Sequence, residues 1–288
     1  MRKHIIVQDL WSEVASIYDT YVTRTQNEWL ENFMSEEQAL LEETVLHTLA
    51  NNADRKASIM EVGCGTGRNL VQCALSKKVM NGTEYLIGID SAKGMVATAV
   101  DKRSELERFG LFPKAAADKI IFLLLDAQRL TNYFYDGKIN TNAVLSYGEN
   151  GKELSKIVAK RFDASTKIMC NLLNTVGVME LGMRKKVVGE MLQSVGYEDK
   201  VLLSVFDADC MLTYAPALYK SLERIVGDFR AEEAFDFKKF EFHTKKPYYS
   251  HWFTEQEIVN LVTSVGGICT RVRKIKAGGH FLICRKQP

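Results

Sequence analysis

The sequence predicts an α/β fold built on a mostly parallel sheet with helices on both faces. Three observations carry that expectation. An apolar run, residues 58–62, enters Gly63-Cys64-Gly65-Thr66-Gly67 and is followed by helical sequence. Two more apolar runs, residues 85–90 and 119–126, each end in an acid and are separated by helical sequence. Near-continuous apolar strands alternating with helices are buried on both faces, as in a parallel sheet. Finally, two strand-like runs, 269–276 and 280–286, are joined by Ala277-Gly278-Gly279, which predicts an antiparallel hairpin.

The elements follow in order. Residues 8–50 read as helical, with Ser35-Glu36-Glu37-Gln38 as a capping-box start and Leu41, Val45 and Leu49 at helical spacing. A helix is expected over 68–78, and Asn81-Gly82 marks a turn before the second strand. Ser91 is a good N-cap for a helix reaching about Phe109. Two segments compete for the fourth strand, residues 142–147 and 167–173. The second is preferred because it flows into a polar turn and a helix over 183–195. Residues 200–207 form a clear fifth strand. Residues 208–250 break the rhythm with many aromatics, a helical start over 215–230 and then alternating Phe and Lys. Thr254-Glu255-Gln256-Glu257 is a second capping box, opening a helix that stops at Gly266-Gly267.

Composition bounds the rest. The chain has 288 residues, 46% of them hydrophobic and 26% charged, enough for a full core without disulfides or metals. The formal charge of +2 gives no strong basic field for nucleic acid or anionic membranes. No apolar run approaches the ~20 residues of a membrane span, and the first residues lack a signal-peptide core. The six cysteines show no C-x-x-C pair and sit mostly in apolar stretches, which suits free thiols and a cytoplasmic protein. The five histidines lack metal-ligand spacing, so no metal is expected.

A strand, a Gly-x-Gly-x-Gly turn and a helix make a nucleotide-binding turn, with the ligand outside the carboxyl ends of the strands. The dinucleotide pattern G-x-G-x-x-G would need glycine at position 68, where this chain has Arg68. The run Glu61-Val62-Gly63-Cys64-Gly65-Thr66-Gly67, with Asp90 and Asp126 at strand ends and the terminal hairpin, resembles the class I S-adenosylmethionine-dependent methyltransferases. That resemblance implies a Rossmann-like seven-stranded sheet with an antiparallel last strand. It also implies an N-terminal helical lid (1–52), a core (53–207 and 251–288) and a substrate cap inserted after strand five (208–250).

The resemblance implies a cofactor too, S-adenosylmethionine, leaving as S-adenosylhomocysteine. Gly63, Gly65 and Gly67 would approach its methionine part, with Glu61 near the amino group or ordering water there. Asp90 and the adjoining Ser91 would hold the ribose, and Met95 would pack on the adenine. Asp126 with Ala127 would meet the adenine edge, and Asn171 and Leu172 would line the sulfonium. If residues 142–147 were the fourth strand, Ser146 and Tyr147 would take that last place. Tyr18 and Tyr21 either close the site, with a ring against the sulfonium, or simply pack the helix. His251 and Tyr248 are the candidates for a general base, and for His251 a structural role is the competing reading. Adjacent prolines, a Pro-Cys nucleophile and the paired-glutamate motif of protein-arginine methyltransferases are not seen. The expected acceptor is therefore a nitrogen or oxygen, less readily a sulfur, of a small molecule such as an amino acid, amine or specialised metabolite. A non-catalytic cofactor-binding subunit, an RNA or protein methyltransferase and a nicotinamide-dependent oxidoreductase are the alternatives. A homodimer stays open.

Overall fold

The computed structural model describes residues 2–52, 54–112, 114–139 and 156–288. The competing fourth strand at 142–147, with Ser146 and Tyr147, lies outside the described residues. One seven-stranded sheet organises the chain. Its strands are β1 (Ala57–Val62), β2 (Thr83–Asp90), β3 (Ile120–Leu124), β4 (Thr166–Asn171), β5 (Lys200–Phe206), β6 (Gly267–Ile275) and β7 (Gly279–Lys286). They lie side by side in the order β3-β2-β1-β4-β5-β7-β6. The first five are parallel, with Met60 level with Ile87 on one side and Met169 on the other. β7 runs antiparallel to both β5 and β6, as the hairpin predicts.

Period-two alternation divides the strands between two cores. Ile59, Leu86, Ile120, Ile168 and Leu202 face one side, and Met60, Ile87, Ile121, Met169 and Leu203 face the other. The first side is covered by α1 (Arg2–Tyr18), α2 (Glu28–Asn51), α3 (Arg68–Leu75) and α4 (Lys93–Arg108). The second is covered by α5 (Lys156–Ala164), α6 (Leu181–Ser194) and α8 (Glu255–Ser264). Every residue of β1 and β4 is buried, so these central strands have no solvent face to mark with polar residues.

Between β5 and α8 the chain builds an insertion. It begins with α7 (Met211–Ser221) and ends in a three-stranded antiparallel sheet of Phe235–Asp236, Glu241–His243 and Tyr249–His251. Stacked rings fill it: Tyr219 lies flat on Phe242 at 3.8 Å, and Trp252 on Trp29 of α2 at 5.3 Å. Contacts of this kind add about 0.5–1.5 kcal/mol each beyond area burial.

Four local expectations are corrected. Ser35 caps nothing: α2 starts a full two turns earlier, where the Asn27 side chain accepts from the Leu30 amide at 2.9 Å. The expected helix 68–78 breaks after Leu75, and Lys77–Gly82 forms its own short helix rather than a turn. Ser91 is not the cap of α4, because Ala92 occupies the cap position and the Asp90 carboxylate accepts from its amide at 2.8 Å. The helix expected over 215–230 runs instead over Met211–Ser221, with Glu223–Val226 as a separate turn. The second capping box holds, with Thr254 and Glu257 bonded reciprocally. Among the described residues no helix is long and apolar enough to cross a membrane.

Candidate active site

From β1 the chain steps outward to β2 and β3, then crosses back to β4 on the other side. That reversal leaves a crevice outside the carboxyl ends of β1 and β4, the place where open α/β sheets bind ligands. A cavity of about 650 Å³ opens there. Its floor is the glycine turn, its walls are α1 and the segment after β4, and its roof is the insertion.

The turn is shaped by two glycines in particular. Gly63 has φ +73°, and a Cβ there would stand 2.4 Å from Thr175 Cγ2, in the loop after β4. Gly67 has φ +78°, and its Cβ would stand 2.6 Å from the Phe122 ring of β3. The first glycine lets the turn meet the neighbouring loop; the second lets α3 settle on the sheet. Asp90, at the end of β2, holds the turn: Oδ2 accepts from the Gly65 amide at 2.9 Å while Oδ1 accepts from Ala92. Burial raises the Asp90 carboxyl above the usual carboxylate range, and these backbone donors work against that.

Below the turn lies a set of unsatisfied acceptors. Glu61 is 4% exposed, with Oε1 accepting from Asn69 Nδ2 at 2.5 Å. Asn171 donates through Nδ2 to the Val62 carbonyl at 2.8 Å, tying β4 to β1 where the turn begins. Glu61 Oε2, Asn69 Oδ1 and Asn171 Oδ1 are buried without a donor among the described residues. Burial pushes the Glu61 carboxyl up to about 8, with the Asn69 bond opposing. Orphaned acceptors of this kind call for a ligand donor or ordered water.

A second carboxylate ties α1 to the turn from above. After α1 the chain makes a π-helical turn, Asp19–Thr23. Asp19 accepts from the Thr66 hydroxyl and pairs with Lys102 of α4, both at 2.5 Å. Burial works against the charged form, yet Lys102 and Thr66 hold the Asp19 carboxyl below its usual range. The bonded turn sets the Tyr18 ring near the glycines, its Cε1 lying 3.9 Å from where a Cβ on Gly65 would be. From α2, the fully buried Glu37 receives Arg68 at 2.7 Å, the Leu173 amide at 2.6 Å and the Ser204 hydroxyl. Arg68, which breaks the dinucleotide pattern, is thus turned toward α2.

Of the residues expected at the site, Tyr18, Gly63, Gly65, Asp90, Ser91, Met95, Ala127 and Tyr248 line the cavity. Glu61 and Asn171 sit just beneath it, and Gly67 packs on Phe122. Asp126 uses its carboxylate to accept from the Gln128 amide at 2.9 Å, while its neighbours Leu125 and Ala127 form the wall. Leu172 is buried with its carbonyl accepting from Thr175, and Leu173 and Asn174 line the cavity in its place. Tyr21 packs on the core outside the lining. His251 also lies outside it, 3.9 Å from Glu257 and edge-on to Phe253. Burial, helped by Arg184, pushes its imidazole down to about 4, so it is neutral near pH 7.

Sequence reasoning missed Trp11, Leu218, Leu222, Glu241 and Tyr249, all of which line the cavity. The aromatic richness of both segments was the available signal. Tyr249 donates to Glu241 at 2.8 Å and accepts from Arg184 at 2.9 Å, so the polar end of the roof is already internally bonded.

No protein-family model and no curated protein matches the chain. Solved structures do. The chain is similar to the Burkholderia thailandensis 1,6-didemethyltoxoflavin-N1-methyltransferase, solved with 1,6-didemethyltoxoflavin and S-adenosylhomocysteine bound. The two share 12% identity and a TM-score of 0.53, over 99% of this chain and 89% of that one. It is similar to magnesium protoporphyrin IX methyltransferase from Synechocystis PCC 6803 with S-adenosylhomocysteine bound, at 13% identity and a TM-score of 0.54, covering 99% and 100%. It is also similar to a methyltransferase of the same cofactor class from Methanosarcina mazei, at 19% identity and a TM-score of 0.52, covering 83% and 96%. At these identities the likeness is one of fold: the chain has the class I S-adenosylmethionine-dependent methyltransferase fold, with its seven-stranded sheet and N-terminal helices.

Proposed function

We propose that the chain is an S-adenosylmethionine-dependent methyltransferase acting on a nitrogen or oxygen of a small molecule. One observation carries the reading. A glycine turn and an acid at the end of the next strand open together into a large cavity, above buried acceptors that no group among the described residues satisfies. Those acceptors suit an ammonium reached through ordered water. Asp90 keeps free lone pairs beside its two backbone bonds and suits a ribose. Met95, Leu125 and Ala127 offer an apolar slot for an adenine ring.

The cofactor supplies an already activated methyl group. The protein's part is then to align the acceptor and exclude water, the kind of task in which positioning supplies most of the rate. In this reading residues 1–52 serve as a lid pinned through Asp19, and residues 208–250 as the cap that forms the acceptor side. The insertion overhangs a cavity of about 650 Å³, a size that suits a small molecule.

Calorimetric titration with S-adenosylmethionine, S-adenosylhomocysteine and NAD tests the reading. Binding of both sulfur compounds and not of NAD is expected. Binding of NAD alone, or of none of the three, overturns it.

A further inference from the structure

The roof and lid of the cavity hold four rings in a chain of contacts. Trp11 meets Tyr18 edge-on at 6.1 Å and 76°, and meets Tyr248 at 5.8 Å and 67°. Tyr248 in turn meets Tyr219 at 6.1 Å and 65°. All four line the cavity, and they come from the lid on one side and the cap on the other. Four aromatic rings lining one space lend it π surface, with one face of Tyr219 covered by Phe242 at 3.8 Å. That arrangement suits an organic cation, which is drawn to the ring quadrupoles without a full ion pair. The rest of the acceptor side is apolar: Leu10, Leu218, Leu222, Ile225 and Val226. The charged side chains among the described lining residues are all acidic: Asp90, Glu180 and Glu241. Arg184 is outside the lining, and its guanidinium is spent on the Met179 and Gly177 carbonyls and the Tyr249 hydroxyl.

We infer that the acceptor is an amine carried on an apolar body, its nitrogen seated among Trp11, Tyr18, Tyr219 and Tyr248. The inference rests on the proposed methyltransferase reading and narrows it. An apolar body matches the aliphatic wall. A carboxylate or phosphate would meet no basic side chain among the described lining residues and three acidic ones, which sets a free amino acid apart from the preferred class.

The chemistry balances without a protein base. The bound ammonium first gives one proton to water, and the neutral nitrogen's lone pair then forms the new N–C bond to the donor's methyl carbon. The C–S bond breaks with its electrons on sulfur, and the positive charge passes from sulfur to nitrogen. The nitrogen then gives its proton to water as the product leaves. Charge therefore moves between two sites facing the same rings, which stabilise it throughout. A hydroxyl acceptor would need its proton removed during attack. The tyrosine hydroxyls are poor bases for that, since burial pushes Tyr248 well above its ordinary value, and His251 stands outside the cavity.

The test uses the complex of the full chain with S-adenosylhomocysteine, titrated with four probes of one size class. These are 2-phenylethylamine, benzyltrimethylammonium, 2-phenylethanol and 3-phenylpropionate. Both cations are expected to bind about tenfold more tightly than the alcohol, within the 2- to 30-fold range that a cation–π contact carries. The carboxylate is expected to bind most weakly. Trp11→Leu and Tyr248→Leu should each erase most of that preference, while Tyr248→Phe, which keeps the ring, should retain it. S-adenosylhomocysteine affinity of each variant controls for folding. Failure of the wild type to bind S-adenosylhomocysteine overturns the methyltransferase reading and this inference with it. Binding of S-adenosylhomocysteine with no preference for the cations, with preference for the alcohol or carboxylate, or with a preference that survives both Leu variants overturns this inference alone.

Discussion

Replacing Asp90 separates two jobs that one carboxylate performs. A carboxylate offers about four lone-pair sites. In this structure one on each oxygen is used, by the Gly65 amide at 2.9 Å and the Ala92 amide at 2.8 Å. The remainder is what a ribose would use. Hydrogen bonds to a charged group contribute about 1.5–3 kcal/mol each, so Asp90→Ala should cost roughly 3–6 kcal/mol of folding stability before water and relaxation return part of it. Asp90→Asn keeps one carbonyl acceptor and should lose about half as much. Cofactor affinity should fall separately, by about 1–3 kcal/mol or roughly 5- to 150-fold, for the lost ribose bonds. Urea unfolding without ligand reads the first effect, and titration with S-adenosylhomocysteine reads the second. If Asp90→Asn folds and binds S-adenosylhomocysteine as tightly as the wild type, the ribose assignment is refuted. If Asp90→Ala is as stable as the wild type, the two backbone bonds contribute nothing net and the account of the turn is wrong.

Three further predictions follow from the same geometry. Gly67→Ala should destabilise the fold by about 2–5 kcal/mol, combining left-handed backbone strain with crowding of Phe122; a loss below about 1 kcal/mol in urea unfolding would mean the ring yields freely. Burial raises the Glu61 carboxyl from its ordinary 4.5 to about 8, so its neutral form stabilises the fold below pH 4.5 and that contribution is lost as pH rises toward 8. Glu61→Gln should therefore gain stability relative to the wild type across that window, and a pH-independent difference in unfolding free energy would refute the assignment. Burial lowers His251 from 6.5 to about 4, so its contribution is present above pH 6.5 and lost as pH falls toward 4. His251→Gln should flatten that acid limb while leaving methyl transfer nearly unchanged; a rate loss of about a hundredfold or more, the scale of a missing general base, would return it to the chemistry.

The parts legible in the sequence share a physical property: each is decided by residues close together in the chain. The central strands are buried on both faces, so their apolar runs are continuous and easy to find. The glycine turn is legible because positive φ restricts residue choice. The terminal hairpin and the Thr254 cap are local motifs read at fixed offsets. What misled also has a local cause. Ser35-Glu36-Glu37-Gln38 has the right letters for a capping box, yet Glu37 is spent on a long-range task, accepting from Arg68, Leu173 and Ser204 across three other elements. Burying that carboxylate needs all three donors, and no window around position 37 contains any of them.

The acceptor side follows the same logic from the other direction. Trp11 is separated from Tyr219 and Tyr248 by most of the chain and meets Tyr248 only because the insertion folds back onto α1. In sequence each is an aromatic residue in an aromatic-rich segment, with core packing and ligand contact equally consistent. The glycine turn is set by backbone conformation, which many sequences satisfy in the same few ways. The ring cluster proposed to take the acceptor is set by side chains from distant elements, which leave no common spacing. A fold of this kind is therefore readable from its glycine turn long before its substrate is, and the discriminating experiments belong at the four rings rather than at the glycines.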